Sequence, residues 1–168
     1  METSKEQNER ILNYSDDFFT ETEQRHIAQY CLSAKYSYGE KDNSNTPVTG
    51  MTHNIPESEL VYKLIAKTLY DRVEFIRDLK LYRMYVNCFA PSEDPYFHTD
   101  GQGFTFLYYP IQRIHNLDDG GETFFVVDGD LMGIMPISNR MVVFDAGITH
   151  KATSYRNDYR FTIAIKYH

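Results

Sequence analysis

The chain predicts an α+β fold that is mainly β: two helices first, then about eight short strands forming a closed or double-layered antiparallel sheet. Three observations predict it. Residues at helical spacing (Leu60, Leu64, Ile65, Thr68, Leu69 and Val73) occur only before residue 80. Beyond residue 80 the apolar runs are short and separated by turn residues. The chain holds 14 Tyr and 11 Phe but no Trp, and such side chains favour pleated, half-buried surfaces. Its 168 residues suit a single domain around one core. That domain spans 1–168, with helical support over about 16–78 and a strand-rich barrel over about 80–168.

The elements follow in order. Residues 1–9 are polar and expected to fray. Ile11-Leu12-Asn13-Tyr14 reads as a short strand. Thr20-Glu21-Thr22-Glu23 fits a capping box that opens a helix running to about Leu32, with Ile27, Tyr30 and Cys31 on its buried side. Tyr36-Ser37-Tyr38 reads as extended. Lys41 to Pro56, rich in Asn, Ser, Thr, Pro and Gly, reads as a long loop, either a substrate lid or a plain connection. Pro56-Glu57 opens a second helix expected to end near Asp78. Strands follow at Leu81–Phe89, Phe104–Tyr109, Thr123–Val127, Leu131–Met135, Met141–Phe144, His150–Thr153 and Tyr159–Tyr167, with a tight hairpin turn at Asp128-Gly129.

Composition argues against several classes of function. A net charge of -7 and a pI near 5.3 argue against a broad nucleic-acid surface, which is normally basic. Cys31 and Cys88 stand in unrelated segments and make neither a metal pair nor a disulfide framework, so free thiols in a reducing compartment are expected. No apolar run is long enough for a membrane helix, and Met1-Glu2-Thr3-Ser4-Lys5-Glu6 lacks the apolar core of a signal peptide. A cytoplasmic protein without a membrane partner is the expectation. Oligomeric state is not legible.

The chemistry concentrates in His98-Thr99-Asp100, His150 and Arg160. Strand residues two apart face the same way, so His98 and Asp100 can point together, with His150 arriving from another strand. Two imidazoles and one carboxylate suit Fe(II) with open coordination positions; Zn(II) could occupy the same set. His26, His53, His115 and His168 lack such context and read as surface or structural residues. In Tyr159–Ile165, Arg160, Thr162 and Ala164 share one strand face. An inward Arg needs an anionic partner, and a dicarboxylate would supply one. The alternative is a solvent-facing Arg160 paired with Asp158 or Glu122. Thr105, Leu107 and Tyr109 share another face, from which Tyr109 could reach the same carboxylate.

These residues resemble the 2-oxoglutarate- and Fe(II)-dependent dioxygenase superfamily, in particular its prolyl 4-hydroxylase-like branch, over roughly 80–168. The resemblance rests on His98-Thr99-Asp100, His150, Arg160-Phe161-Thr162 and Thr105-Phe106-Leu107-Tyr108-Tyr109. It also rests on Gly120-Gly121-Glu122-Thr123-Phe124-Phe125, on the spacing from Pro136 to Phe144, and on Asp16-Asp17-Phe18-Phe19-Thr20. It implies a double-stranded β-helix (a jelly-roll, cupin-like core) with two N-terminal helices packed outside. It further implies iron ligation by His98, Asp100 and His150, and 2-oxoglutarate binding by Arg160 and Tyr109 with Thr162, Leu107 and Asn87 nearby. No catalytic residue is needed beyond the iron ligands. The implied activity is hydroxylation of a C–H bond, first of peptidyl proline, consuming O2 and 2-oxoglutarate with ascorbate as reductant.

One phrase departs from this branch. Asn87-Cys88-Phe89-Ala90-Pro91 is similar to the Asn-x-Tyr-x-Pro phrase of AlkB-type nucleic-acid dealkylases, but Phe89 lacks the Tyr hydroxyl and Lys166 stands where those enzymes carry a second Arg. An AlkB-like dealkylase, a hydroxylase of a free amino acid or small metabolite, and a non-catalytic metal-binding jelly-roll module remain as alternatives.

Overall fold

The computed structural model describes residues 11–114 and 116–168. The segment 1–9, expected to fray, and His115 lie outside the described residues. Ten strands and two helices follow in chain order: β1 (Leu12–Ser15), α1 (Glu21–Ser33), β2 (Ser37–Tyr38), β3 (Met51–Asn54), α2 (Leu60–Arg72), β4 (Leu81–Phe89), β5 (Phe104–Tyr108), β6 (Thr123–Val127), β7 (Asp130–Ile134), β8 (Met141–Asp145), β9 (His150–Ala152) and β10 (Arg160–Tyr167). A seven-stranded sheet has the order β1-β8-β5-β10-β4-β3-β2, and a three-stranded sheet the order β7-β6-β9. Every named pairing is antiparallel. His98 bridges His150 antiparallel and so extends the smaller sheet by one contact. The two sheets form the double-stranded β-helix, with the helices on the outside.

Alternation along the central strands builds two cores. The outer face of the large sheet, with Met84, Val86, Phe106, Tyr108, Ile163 and Ile165, packs on Ile27 and Cys31 of α1 and on Val61, Ile65 and Leu69 of α2. The inner face joins Tyr85, Leu107, Val142, Phe144 and Ala164 to Phe125, Ile134 and Ile148. The capping box on α1 forms as expected: Glu23 N–H donates to Thr20 Oγ1 at 3.3 Å, and Thr20 N–H to Glu23 Oε2 at 2.8 Å. Just before it, Phe18 and Phe19 are buried, and Asn139 clasps Phe19 through both backbone groups at 3.0 and 2.7 Å. At Asp128-Gly129 φ is 52° and 89°, the pair of positive angles that a two-residue hairpin turn of matching twist requires.

Three expectations are corrected. The second helix begins at Leu60 rather than at Pro56, because Pro56 C=O closes a separate turn with Glu59 N–H at 3.0 Å. It stops at Arg72 rather than near Asp78: Val73 is extended, and a 3₁₀ turn over Glu74–Ile76 buries Ile76 and sets Phe75 edge-on to Phe104. Residues 41–56 are not one loop. Met51–Asn54 forms β3, registered on Asn54↔Tyr85 through Met51↔Cys88, which leaves only the stretch before Met51 as connection. Gly50 precedes it with φ 70°, where a Cβ would meet the Phe89 ring at 2.6 Å.

Candidate metal centre

The two histidines are fixed by the same local device. His98 Nδ1 lies 3.0 Å from Tyr96 O, and His150 Nδ1 lies 3.0 Å from Ile148 O. A carbonyl accepts only from N–H, so each ring carries its proton on Nδ1 and presents the Nε2 lone pair. Both Nε2 atoms then stand 3.8 Å from Asp100, one from each carboxylate oxygen. The three ligand atoms lie within 4.8 Å of one another, the only such group of His, Cys, Asp or Glu among the described residues. Phe144 and Phe125 flank His150, with ring centroids 4.7 and 5.9 Å away.

Asp100 is held from both sides. Thr105 Oγ1 donates to Oδ2 at 2.6 Å and Lys166 Nζ to Oδ1 at 2.8 Å. Burial pushes the Asp100 carboxyl up, but His150, Lys166 and Thr105 outweigh it and hold the group below its ordinary value. Burial, with His98 beside it, pushes His150 down despite Asp100. An ionised carboxylate beside a His150 held neutral is a protonation state that suits metal binding. Asp42, from the connection before β3, adds a carboxylate 3.5 Å from His98 Nδ1, while its Oδ2 accepts from Tyr96 N–H at 2.7 Å and Thr49 Oγ1 at 2.9 Å.

The triad opens onto a cavity of about 200 Å³, walled by Asn87, Phe89, Leu107, Arg160, Thr162 and Ala164 among others. Arg160 is 1 % exposed. Its Nε donates to Gly121 O at 2.9 Å and its NH2 to Thr123 Oγ1 at 2.8 Å. No carboxylate among the described residues pairs with it. Asp158 is taken by Arg113 at 2.7 Å, and Glu122 Oε2 accepts from Thr153 Oγ1 at 3.2 Å. The solvent-facing alternative for Arg160 is therefore set aside. Thr162 Oγ1 is fully buried on the same wall without a hydrogen-bond partner, and a buried hydroxyl left unpaired is destabilising. A buried cation and an orphaned hydroxyl on one wall fit a bound carboxylate. The Gly-Gly-Glu-Thr stretch has a physical basis here: Gly121, at φ 89°, would drive a Cβ into the Tyr155 ring, while its carbonyl and Thr123 orient Arg160.

The sequence-based residues thus converge, with one adjustment. His98, Asp100, His150, Arg160, Thr162, Asn87 and Leu107 all line the cavity. Tyr109 stands behind it: its hydroxyl is 2.6 Å from Thr123 Oγ1 and its ring centroid 5.5 Å from the Arg160 guanidinium carbon, so it is linked to Arg160 through Thr123. Sequence reasoning gave Thr105, Thr123 and Lys166 no part in the site, and it missed Tyr85 and Asp42, all five of which line the cavity. Extending the Arg160, Thr162, Ala164 alternation by two residues finds Lys166; no local signal marks Asp42.

No family model and no curated protein matches the chain. Solved structures do. A prolyl-4-hydroxylase from Pseudomonas putida superposes with a TM-score of 0.78 at 14% identity, covering 94% of this chain and 92% of that one. A prolyl hydroxylase from Trichoplax adhaerens, in complex with a peptide fragment of the hypoxia inducible factor oxygen degradation domain, gives 0.77 at 17% identity, covering 93% and 82%. A viral collagen prolyl hydroxylase from Paramecium Bursaria Chlorella virus-1, in complex with 2-oxoglutarate, gives 0.68 at 14% identity, covering 93% and 94%. At these identities the likeness establishes the shared fold.

Proposed function

We propose that this chain is a 2-oxoglutarate- and Fe(II)-dependent dioxygenase that hydroxylates a C–H bond, with peptidyl proline as its first substrate class. The observation that carries the reading is one small cavity holding both an inward-facing His98, Asp100, His150 set and a buried Arg160 without an acid partner. The names of the structural neighbours, which include a peptide complex and a 2-oxoglutarate complex, support the same reading.

Bound at the triad, Fe(II) would couple O2 activation to decarboxylation of 2-oxoglutarate, which supplies the oxidising power for C–H hydroxylation. The residues of the chain bind and orient. Arg160 pairs with the distal carboxylate of 2-oxoglutarate, held at the correct angle by Gly121 O and Thr123 Oγ1. Thr162 Oγ1 donates to that carboxylate and so gains the partner it lacks. Asn87, beside Thr162 on the neighbouring strand β4, offers an amide to the rest of the cosubstrate. Leu107, Ala164 and Phe144 exclude water from the reacting end. No protein acid or base is required. The two buried free thiols, Cys31 and Cys88, suit a reducing compartment such as the cytoplasm. No helix among the described residues is long and apolar enough to cross a membrane.

Purified protein with Fe(II), ascorbate and 2-oxoglutarate is expected to release succinate, with a 16-dalton mass gain on proline-containing peptides. Asp100→Asn is expected to reduce succinate to the level of metal-free protein. A wild-type protein that binds neither metal nor 2-oxoglutarate would instead be a non-catalytic module.

A further inference from the structure

Alternation along β10 ends its cavity face on Lys166, two residues past Ala164. Pairing with β4 slips just beyond it, from Lys166↔Arg83 to Tyr167↔Leu81, and such irregularities turn side chains in directions a regular strand does not. Here the ammonium meets a metal ligand: Nζ lies 2.8 Å from Asp100 Oδ1. The Tyr85 hydroxyl is a further side-chain partner, and the Tyr85 ring centroid is 5.4 Å from Nζ. Lys166 is 9 % exposed, so the ammonium has little water to retreat into.

Among the described residues no other Lys or Arg forms an ion pair with Asp100. Arg83 lies flat on the Tyr85 ring, its guanidinium carbon 3.9 Å from the centroid, with both NH groups on Glu40 at 3.0 and 3.3 Å. Arg160 donates to Gly121 O and Thr123 Oγ1 instead. His98 and His150 turn Nε2 lone pairs toward Asp100, not N–H groups. The negative charge of Asp100, whose side chain is 6 % exposed, is therefore balanced by Lys166. A carboxylate so buried needs a partner of opposite charge. Its orientation has a second support, because Thr105 Oγ1 donates to Oδ2 at 2.6 Å whether or not Lys166 is charged.

A divalent ion at the triad draws on the same carboxylate. It arrives as a second cation on a group whose single charge Lys166 already neutralises, and like charges close together in a buried site repel strongly. We infer that Lys166 is the internal counter-ion of Asp100 and competes with the metal for it. This rests on the metal reading of the triad and adds a control on it. Lys166 keeps the metal-free protein stable by pairing Asp100, and it sets a weaker metal affinity than the three ligands alone would give. The loaded fraction then follows the supply of divalent ion instead of being fixed when the chain folds.

The test titrates the full-length protein with Mn(II) alone and reads the free ion by electron paramagnetic resonance. Lys166→Met is expected to bind Mn(II) at least about tenfold more tightly than the wild type. Lys166→Gln keeps a hydrogen-bond donor without the charge and should gain as well; it decides the matter if Lys166→Met does not fold. Lys166→Arg keeps the charge and should keep the wild-type affinity. In chelator, Lys166→Met should melt roughly 5 °C below the wild type. Adding Asp100→Asn should restore that midpoint, since no buried charge is then left alone. Unchanged or weaker Mn(II) binding in the neutral variants overturns the counter-ion role, because a lysine that merely props the fold or orients its neighbour gives that result. If neither the wild type nor the neutral variants bind Mn(II), the metal reading of the triad falls as well; wild-type binding without a gain removes the role of Lys166 alone.

Discussion

The two faces of β10 share a backbone and eight residues, yet they answer to different physics. One face places Phe161, Ile163 and Ile165 against the helices, where apolar area leaves water and nothing is left unpaired. The other face places Arg160, Thr162 and Lys166 in the cavity with a buried guanidinium, an orphaned hydroxyl and an ammonium. The first face lowers the free energy of the fold. The second raises it, because it keeps a guanidinium without an acid partner and a hydroxyl without a hydrogen bond. Period-two alternation lets one strand do both, because neighbouring residues never share an environment.

Substitutions on the two faces should therefore separate stability from binding. Ile163→Ala has the largest expected effect. The side chain is fully buried, so unfolding free energy should fall by about 2–5 kcal/mol, while 2-oxoglutarate affinity of the folded protein stays unchanged. Denaturant melts paired with calorimetry check this, and a matching loss of affinity would erase the contrast between the faces. Arg160→Met should do the reverse, weakening 2-oxoglutarate about 100-fold through the loss of charge-assisted hydrogen bonds with the melting midpoint held or raised. Thr162→Val sharpens the contrast further, because its two effects have opposite signs. Removing an unpaired hydroxyl should stabilise the ligand-free protein slightly, by up to about 1 kcal/mol, and weaken 2-oxoglutarate by roughly fivefold. If Thr162→Val destabilises the free protein, the hydroxyl has a partner there after all.

The smallest effect lies away from both faces and serves as their control. Hydrogen bonds from Arg140 hold Asp16 below the usual carboxylate range, and Thr20 does the same for Glu23. A lowered folded-state value means that the stabilisation is present above the unfolded value and lost as pH falls through the folded one. Thermal stability should thus decline modestly below about pH 4. Asp16→Asn together with Glu23→Gln should flatten that part of the decline in thermal scans, without altering 2-oxoglutarate affinity at neutral pH.

How much was legible varied with how local each signal was. The capping box, the Asp128-Gly129 turn and seven strands beyond residue 80 could be read directly, since each is a pattern within a few residues. Strand β3 could not. Thr52, His53 and Asn54 lie among turn formers, and only pairing with β4 makes them a strand. In the site, His98, Asp100, His150 and Arg160 were legible from residue type and order. For Tyr109 the sequence shows the residue but not its partner, since nothing near it in the chain says that its hydroxyl meets Thr123 Oγ1.

By itself the sequence determined the mainly-β architecture, the order of its elements and the identity of the candidate metal and carboxylate ligands, because alternation, caps and turns act over short spans. Only the tertiary structure decided that Arg160 has no acid partner, that Thr162 is orphaned and that Lys166 sits on Asp100. Those facts depend on which residues from distant segments arrive at the same place: Gly121 and Thr123 beside Arg160, and Asp100 beside Lys166, 66 positions apart. Burial and charge pairing are properties of that meeting, and no short stretch of chain encodes them.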